Sequence, residues 1–128
     1  MFIGEYNHNL DSKGRLAVPA KFRNQLKKGA VVTKGIDNCL VLYPKEKWEE
    51  IAPKFANMPM SQSKARALSR LQLAGATEVD FDSQGRITLP EYLRTFANLG
   101  KKAIFAGLYD RLEIWNEDDW NRYKSKAE

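Results

Sequence analysis

The sequence predicts an α+β protein in which two copies of one small unit pack together as a pseudo-dimer with short helices. The nine-residue segment DSKGRLAVP at 11–19 recurs as DSQGRITLP at 82–90. Alternating apolar and polar residues, typical of half-buried strands, precede each copy, and short apolar runs follow it. The 128 residues are 43% hydrophobic and 11% aromatic, which supplies a core and argues against disorder.

The duplication extends well beyond these nine residues. At an offset of 71, Arg23 matches Arg94, and after one inserted residue Trp48 matches Trp120. Fixed-period similarity of this kind indicates a repeated structural unit. Because so short a unit buries little surface alone, we expect the two copies to share one core with approximate twofold symmetry.

The elements are predicted in the same order in both copies. Each unit reads as a strand, a turn, a second strand, a short helix, a hairpin and an acidic helix that contains Trp. The expected ranges are strands 3–10 and 76–81, strands 15–18 and 86–89, helices 20–28 and 91–99, hairpins 30–43 and 102–115, and helices 44–55 and 116–124.

Boundary residues support these ranges. Pro19 and Pro90 suit the first position of a helix, where a missing N–H costs nothing. Gly29 and Gly100 stand where helices end. Between the units we expect a connecting helix, capped by Ser61 or Ser63 and ended by Gly75. The predicted organisation is therefore unit 1 at 5–47, a helical connector at 48–75, unit 2 at 76–119, and the end of a C-terminal helix at 120–128.

The charge of the chain favours an acidic partner. The net charge is +5 and the isoelectric point is near 9.4. Residues 1–60 hold ten Lys and Arg against six Asp and Glu, whereas residues 61–128 hold eleven against ten. The surplus surrounds the first copy of the repeat, which favours nucleic acid as the partner.

Several functional classes lack their usual residues. His8 and Cys39 are the only residues of their types, so neither a nucleophile–base pair nor a zinc site is expected, and we assign His8 a structural role. No phosphate-binding glycine loop is present. We therefore expect no enzyme, no cofactor and no small-molecule substrate. A lone cysteine fits a reducing cytoplasm, and neither a signal peptide nor a membrane span is expected.

The repeated Asp-Ser-x-Gly-Arg turn is the one constellation with chemistry to offer. It reads either as a structural hairpin or as a projecting loop whose arginine meets phosphate or the guanine edge, since a guanidinium can bond guanine bidentately. The surplus of Lys and Arg around the first copy favours the second interpretation there. The candidate DNA-binding residues are Lys13, Arg15 and Arg86, with Lys21 and Arg23 as flanking phosphate neighbours. The loop-ordering residues are Asp11, Gly14, Asp82 and Gly85.

The segments GEYNHNLDSKGRLAVPAKFR and DSQGRITLP strongly resemble the MraZ family of tandem AbrB-like (SpoVT-AbrB) domains. The resemblance spans nearly the whole chain. It implies swapped-hairpin β-barrel units, a ring-shaped homo-oligomer, and a regulator in the cytoplasm and nucleoid. Such a regulator binds repeats in the promoter of the division and cell-wall gene cluster and typically represses it. The family motif falls on Asp11 and Arg15, then on Asp82 and Arg86, and Gln84 replaces the basic Lys13 in the second copy.

Two alternatives stay open at the level of sequence. An oligomeric protein-interaction scaffold without specific DNA binding would use the positive charge only for solubility. RNA would share the attraction for phosphate, although few aromatic residues flank the basic loops to stack on bases.

Overall fold

A computed structural model describes all residues, 1–128, and gives an α+β protein with antiparallel sheets and short helices. The elements are β1 (Phe2–Asn9), β2 (Arg15–Ala17), α1 (Ala20–Leu26), β3 (Ala30–Lys34), β4 (Leu40–Pro44), α2 (Lys45–Ala56), α3 (Ser63–Ala74), β5 (Thr77–Val79), β6 (Arg86–Thr88), α4 (Glu91–Phe96), β7 (Lys102–Tyr109), β8 (Leu112–Asn116) and α5 (Glu117–Ala127).

The two units are interleaved in the sheets rather than placed side by side. A six-stranded sheet has the order β1-β7-β8-β4-β3-β5, and β2 and β6 form a separate two-stranded ribbon. The first strand of each unit therefore pairs with a hairpin strand of the other, as β1 with β7 and β5 with β3. Pairing of β4 with β8 and of β2 with β6 completes the exchange. Only the hairpins β3–β4 and β7–β8 are paired within one unit, so neither unit could keep all its strand pairings without its companion.

One core serves both units. It is a cluster of 19 buried residues that fills the space between one face of the large sheet, the ribbon, and helices α1 and α4. The ribbon contributes Leu16 and Ile87, both 0% exposed, so it is anchored by a fully buried inner face. Burial of these two side chains is worth about 1.5–3 kcal/mol each.

Helices α2, α3 and α5 lie on the other face of the sheet. Thr33 of β3 donates to the Gln72 carbonyl of α3 at 2.7 Å, and the Gln72 amide donates to the Lys34 carbonyl at 2.8 Å. Beside α5, Cys39, Ile104 and Trp115 form a second buried cluster against Trp120. None of the helices is long and apolar enough to cross a membrane.

The predicted elements are confirmed, but several boundaries differ. Helices α1 and α4 end at Leu26 and Phe96, earlier than predicted, and three helix starts also differ. Pro19 and Pro90 precede the first helical residue rather than occupying it, because their ψ angles of 132° and 153° are extended. The serine cap predicted for the connecting helix was wrong. Ser63 is already helical, and Gln62 occupies the cap position without a side-chain hydrogen bond.

Candidate nucleic-acid interface

The first motif turn is locked by the carboxylate of Asp11. One oxygen, Oδ1, accepts the backbone N–H groups of Lys13 and Arg15, both at 2.9 Å. The Asp11 carbonyl accepts the Gly14 N–H at 3.1 Å, and Gly14 has a φ of +82°, which favours glycine. An Asp and a Gly at these two positions therefore suffice to close the turn, as the sequence predicts.

The second turn repeats this arrangement in atomic detail. Asp82 Oδ1 accepts the N–H groups of Gln84 and Arg86 at 2.9 Å each. The Gly85 N–H donates to the Asp82 carbonyl at 3.0 Å, and the φ of Gly85 is +75°. The two turns differ in sequence chiefly at their tips, where exposed Lys13 in the first corresponds to exposed Gln84 in the second.

Each motif arginine is held by the aspartate of its own turn. Arg15 Nε donates to Asp11 Oδ2 at 2.6 Å, and Arg86 Nε donates to Asp82 Oδ2 at 2.8 Å. The terminal nitrogens of Arg15 bond no protein acceptor, whereas Arg86 Nη1 also lies 4.0 Å from Asp11 Oδ2. The side chains of Arg15 and Arg86 are 34% and 25% exposed. Both guanidinium groups are thus oriented without being enclosed.

These contacts also stabilise the charged form of both aspartates. The backbone N–H of Arg15, with the guanidinium and the N–H of Lys13, lowers the pKa of Asp11 below its usual value. The backbone N–H of Arg86 is likewise the main cause that lowers the pKa of Asp82. The carboxylates therefore remain ionised at neutral pH, and each partly neutralises the arginine it orients.

The ribbon places both arginines on one face. Arg15 pairs with Thr88, and Ala17 pairs with Arg86, in antiparallel register. Since Leu16 points inward, its neighbours Arg15 and Ala17 point outward, and the same alternation turns Arg86 outward. Diagonal neighbours across such a pair are about 7 Å apart. The outer face of the ribbon therefore carries two cations in fixed relation.

Hydrogen bonds between the units fix the two turns relative to each other. The Val18 N–H donates to the Gly85 carbonyl at 3.2 Å, and the Leu89 N–H donates to the Gly14 carbonyl at 2.8 Å. Each turn is thus bonded to the strand end of the other unit. The ribbon and both turns form one connected element.

The flanking cations are placed differently from the tips. Lys21 is exposed on α1, donates to the Tyr6 hydroxyl at 2.7 Å, and lies over the rings of Tyr6 and Phe22. Arg23 is half-buried, and its Nε donates to the Val18 carbonyl at 3.0 Å. The structure therefore places Arg15 and Arg86 on the outer face of the ribbon and exposed Lys13 in the turn before Arg15, and it places Lys21 and Arg23 beside the ribbon in protein contacts.

Arg94 belongs to this region although sequence reasoning did not select it. Its Nε donates to the Leu89 carbonyl at 2.9 Å, which mirrors the bond from Arg23 to Val18. The matching of Arg23 with Arg94 across the duplication was the signal that could have identified it. His8, in contrast, lies on β1 with its ring edge-on to Phe105, and burial, followed by the charge of Arg23, lowers its pKa.

Comparisons with known proteins agree with the duplication in the sequence. The family model described as "MraZ protein, putative antitoxin-like" matches residues 1–71 and again 72–128. "Transcriptional regulator MraZ" from Desulforamulus reducens is 48% identical over 128 residues, which cover 100% of this chain and 90% of the relative. The proteins of the same name from Natranaerobius thermophilus and Halothermothrix orenii are 47% and 44% identical over the same shares of both chains. Its doubled motif, its two family matches and these relatives show that the chain belongs to the MraZ family.

Proposed function

We propose that this protein is a transcriptional regulator that binds double-stranded DNA in a sequence-specific manner through the outer face of its β2–β6 ribbon. The observation that carries the proposal is the pair of Asp-anchored turns that hold Arg15 and Arg86 on that one face. The relatives named as transcriptional regulators support the same role.

The ribbon suits the major groove in shape and chemistry. The major groove of B-DNA admits a two-stranded β-ribbon, and a guanidinium can bond guanine O6 and N7 together. Because its Nε is already bonded to Asp11, Arg15 is oriented before DNA arrives and loses little side-chain entropy on binding. We assign base reading to Arg15. Arg86, which also lies near Asp11, is assigned a supporting contact with the DNA.

The remaining candidate residues are assigned different roles. Lys13 is exposed beside Arg15 and suits a phosphate, for which a compact ammonium is sufficient. Lys21 is a flanking neighbour of the phosphate backbone in this scheme, whereas Arg23, the other flanking candidate from the sequence, has its Nε bonded to the Val18 carbonyl. Asp11 and Asp82 order the loops and do not face DNA, since a carboxylate is repelled by phosphate.

The finer features of the proposal follow from the family. We infer that the units at 5–47 and 76–119, with the connector 48–75 and the end segment 120–128, form the swapped-hairpin barrel arrangement, and the exchanged pairings of β1 and β5 support it. We infer further a ring-shaped homo-oligomer in the cytoplasm and nucleoid that represses the division and cell-wall gene cluster. Adjacent subunits holding promoter repeats about 10 base pairs apart would gain avidity without new contacts.

The experiment that tests this function is a salt titration of binding to the DNA upstream of the protein's own gene, with a shuffled duplex as control. We expect tighter binding to the upstream duplex at every salt concentration and a steep loss of affinity with salt. Lys13→Gln should lower the salt slope by about one while sparing the preference between the duplexes. No binding to either duplex, or equal binding to both, would favour the interaction scaffold instead.

A further inference from the structure

We propose that Arg23 and Arg94 are positioning residues, and that each fixes the motif turn of the unit to which it does not belong. Arg94 of unit 2 would hold the turn that carries Arg15, and Arg23 of unit 1 would hold the turn that carries Arg86. The proposal rests on the DNA-binding function proposed above, since it assigns the orientation of the DNA-facing arginines to residues outside the motif.

Arg94 lies directly on the first turn. A Cβ added to Gly14 would be 2.9 Å from Arg94 Nε and 3.0 Å from its Cζ, so the guanidinium packs against the bare backbone of that glycine. The same guanidinium donates to the Leu89 carbonyl at 2.9 Å, and the Leu89 N–H donates to the Gly14 carbonyl at 2.8 Å. Two hydrogen bonds and one packing contact therefore link Arg94, Leu89 and Gly14 to one another, next to Arg15.

Arg23 makes the mirror-image contact with the second turn. Its Nε donates to the Val18 carbonyl at 3.0 Å, and the Val18 N–H donates to the Gly85 carbonyl at 3.2 Å. A Cβ on Gly85 would overlap the guanidinium of Arg23. The two contacts are thus crossed, because a helix of each unit supports the turn of the other.

Arginine has a specific advantage in this position. The guanidinium offers a planar face for the glycine backbone and a donor at Nε that points along the edge, whereas a lysine ammonium is a strongly hydrated point charge. A glycine without Cβ lets that plane come into contact. Gly14 and Gly85 therefore have two roles: each adopts the positive φ of the turn, and each leaves room for the guanidinium of an arginine from the other unit.

The crossed contacts affect binding through the motif arginines. Arg15 directly follows Gly14, and Arg86 directly follows Gly85. Packing that fixes the backbone of each glycine therefore also fixes the direction in which the next side chain leaves the turn. A side chain that is held in its binding geometry before it meets DNA loses less conformational entropy on binding. Because Nε of Arg23 and Arg94 is committed to a protein carbonyl, we assign them positioning rather than phosphate contact.

A double-mutant cycle tests the crossed assignment on the upstream duplex. Arg94→Gln should weaken binding about fivefold in the wild-type and Arg86→Ala backgrounds and less than twofold in the Arg15→Ala background. Arg23→Gln should show the reverse pattern. Arg94→Lys should not restore affinity, and Arg70→Gln, at an exposed arginine of α3, is the charge control. The salt slope should stay unchanged in both positioning variants.

A measurement without DNA separates this proposal from the function on which it rests. In amide NMR spectra, Arg94→Gln should shift and deprotect the Gly14 N–H and leave Gly85 in place, and Arg23→Gln should do the opposite. Equal losses of affinity in both arginine backgrounds, a salt slope lowered by about one, or amide shifts confined to the variant's own unit would overturn it. If Arg15→Ala and Arg86→Ala bind as wild type while the amides shift as expected, the proposed DNA contact of the motif arginines fails and the crossed support stands.

Discussion

Replacement of Gly85 by alanine should destabilise the fold through two separate effects. The φ of +75° costs an L-residue about 1–2 kcal/mol. The new Cβ would overlap the guanidinium of Arg23, which must move and give up its 3.0 Å bond to the Val18 carbonyl. Loss of that bond adds about 1.5–3 kcal/mol, since the donor is charged. We therefore expect Gly85→Ala to lower the free energy of unfolding by about 2.5–5 kcal/mol.

Gly100→Ala provides the matched control for this prediction. No atom lies within 4 Å of a Cβ added at Gly100, and its φ is not in the left-handed region. Its substitution should change the free energy of unfolding by less than about 0.5 kcal/mol. The two variants add the same methyl group, so their difference isolates the turn.

Urea unfolding followed by tryptophan fluorescence measures both variants. Trp48, Trp115 and Trp120 lie in or beside the packed layers and report loss of tertiary structure. The slope with urea should remain unchanged, so that the midpoints compare directly. If Gly85→Ala unfolds at the same urea concentration as Gly100→Ala, then neither the positive φ of Gly85 nor the packing of Arg23 against it contributes to stability as proposed.

Three further predictions follow from burial and charge. Leu16→Ala should lower the free energy of unfolding by about 2–5 kcal/mol, whereas Thr88→Ala on the outer face of the ribbon should cost less than about 0.5 kcal/mol, as measured by urea unfolding. Because the folded pKa values of Asp11 and Asp82 are lowered, the order they give the turns should be complete above pH of about 4 and lost as the pH falls below it, as followed by amide exchange. Burial raises the pKa of Cys39 to about 12, so its thiol should react with a disulfide reagent at pH 8 only after unfolding.

The sequence was informative where the physics is local. Asp11 and Gly14 have few ways to make a turn, and alternating apolar residues such as Leu16 and Val18 define a strand and its buried side. The duplication then doubled every inference, which is why both turns and all the short helices could be predicted. The candidate basic residues of the turns could be predicted from the same local motif.

Features that depend on long-range pairing could not be predicted in this way. Periodicity identifies β1 as a strand but does not reveal that its partner is β7 of the other unit. Spacing likewise marks Arg23 as a basic residue beside the motif, but it cannot show that the guanidinium folds back on Gly85, a residue 62 positions away. The same reason concealed Arg94, whose role depends on contact with Gly14.

The most direct test of the central claim is fluorescence anisotropy of labelled DNA from upstream of the protein's own gene, with wild type and Arg15→Ala compared at two salt concentrations. If Arg15 reads a base, its loss should raise the Kd by about 5- to 150-fold, which corresponds to about 1–3 kcal/mol, and the ratio should persist at both salt concentrations. Equal affinity of Arg15→Ala and wild type for this duplex would contradict the account.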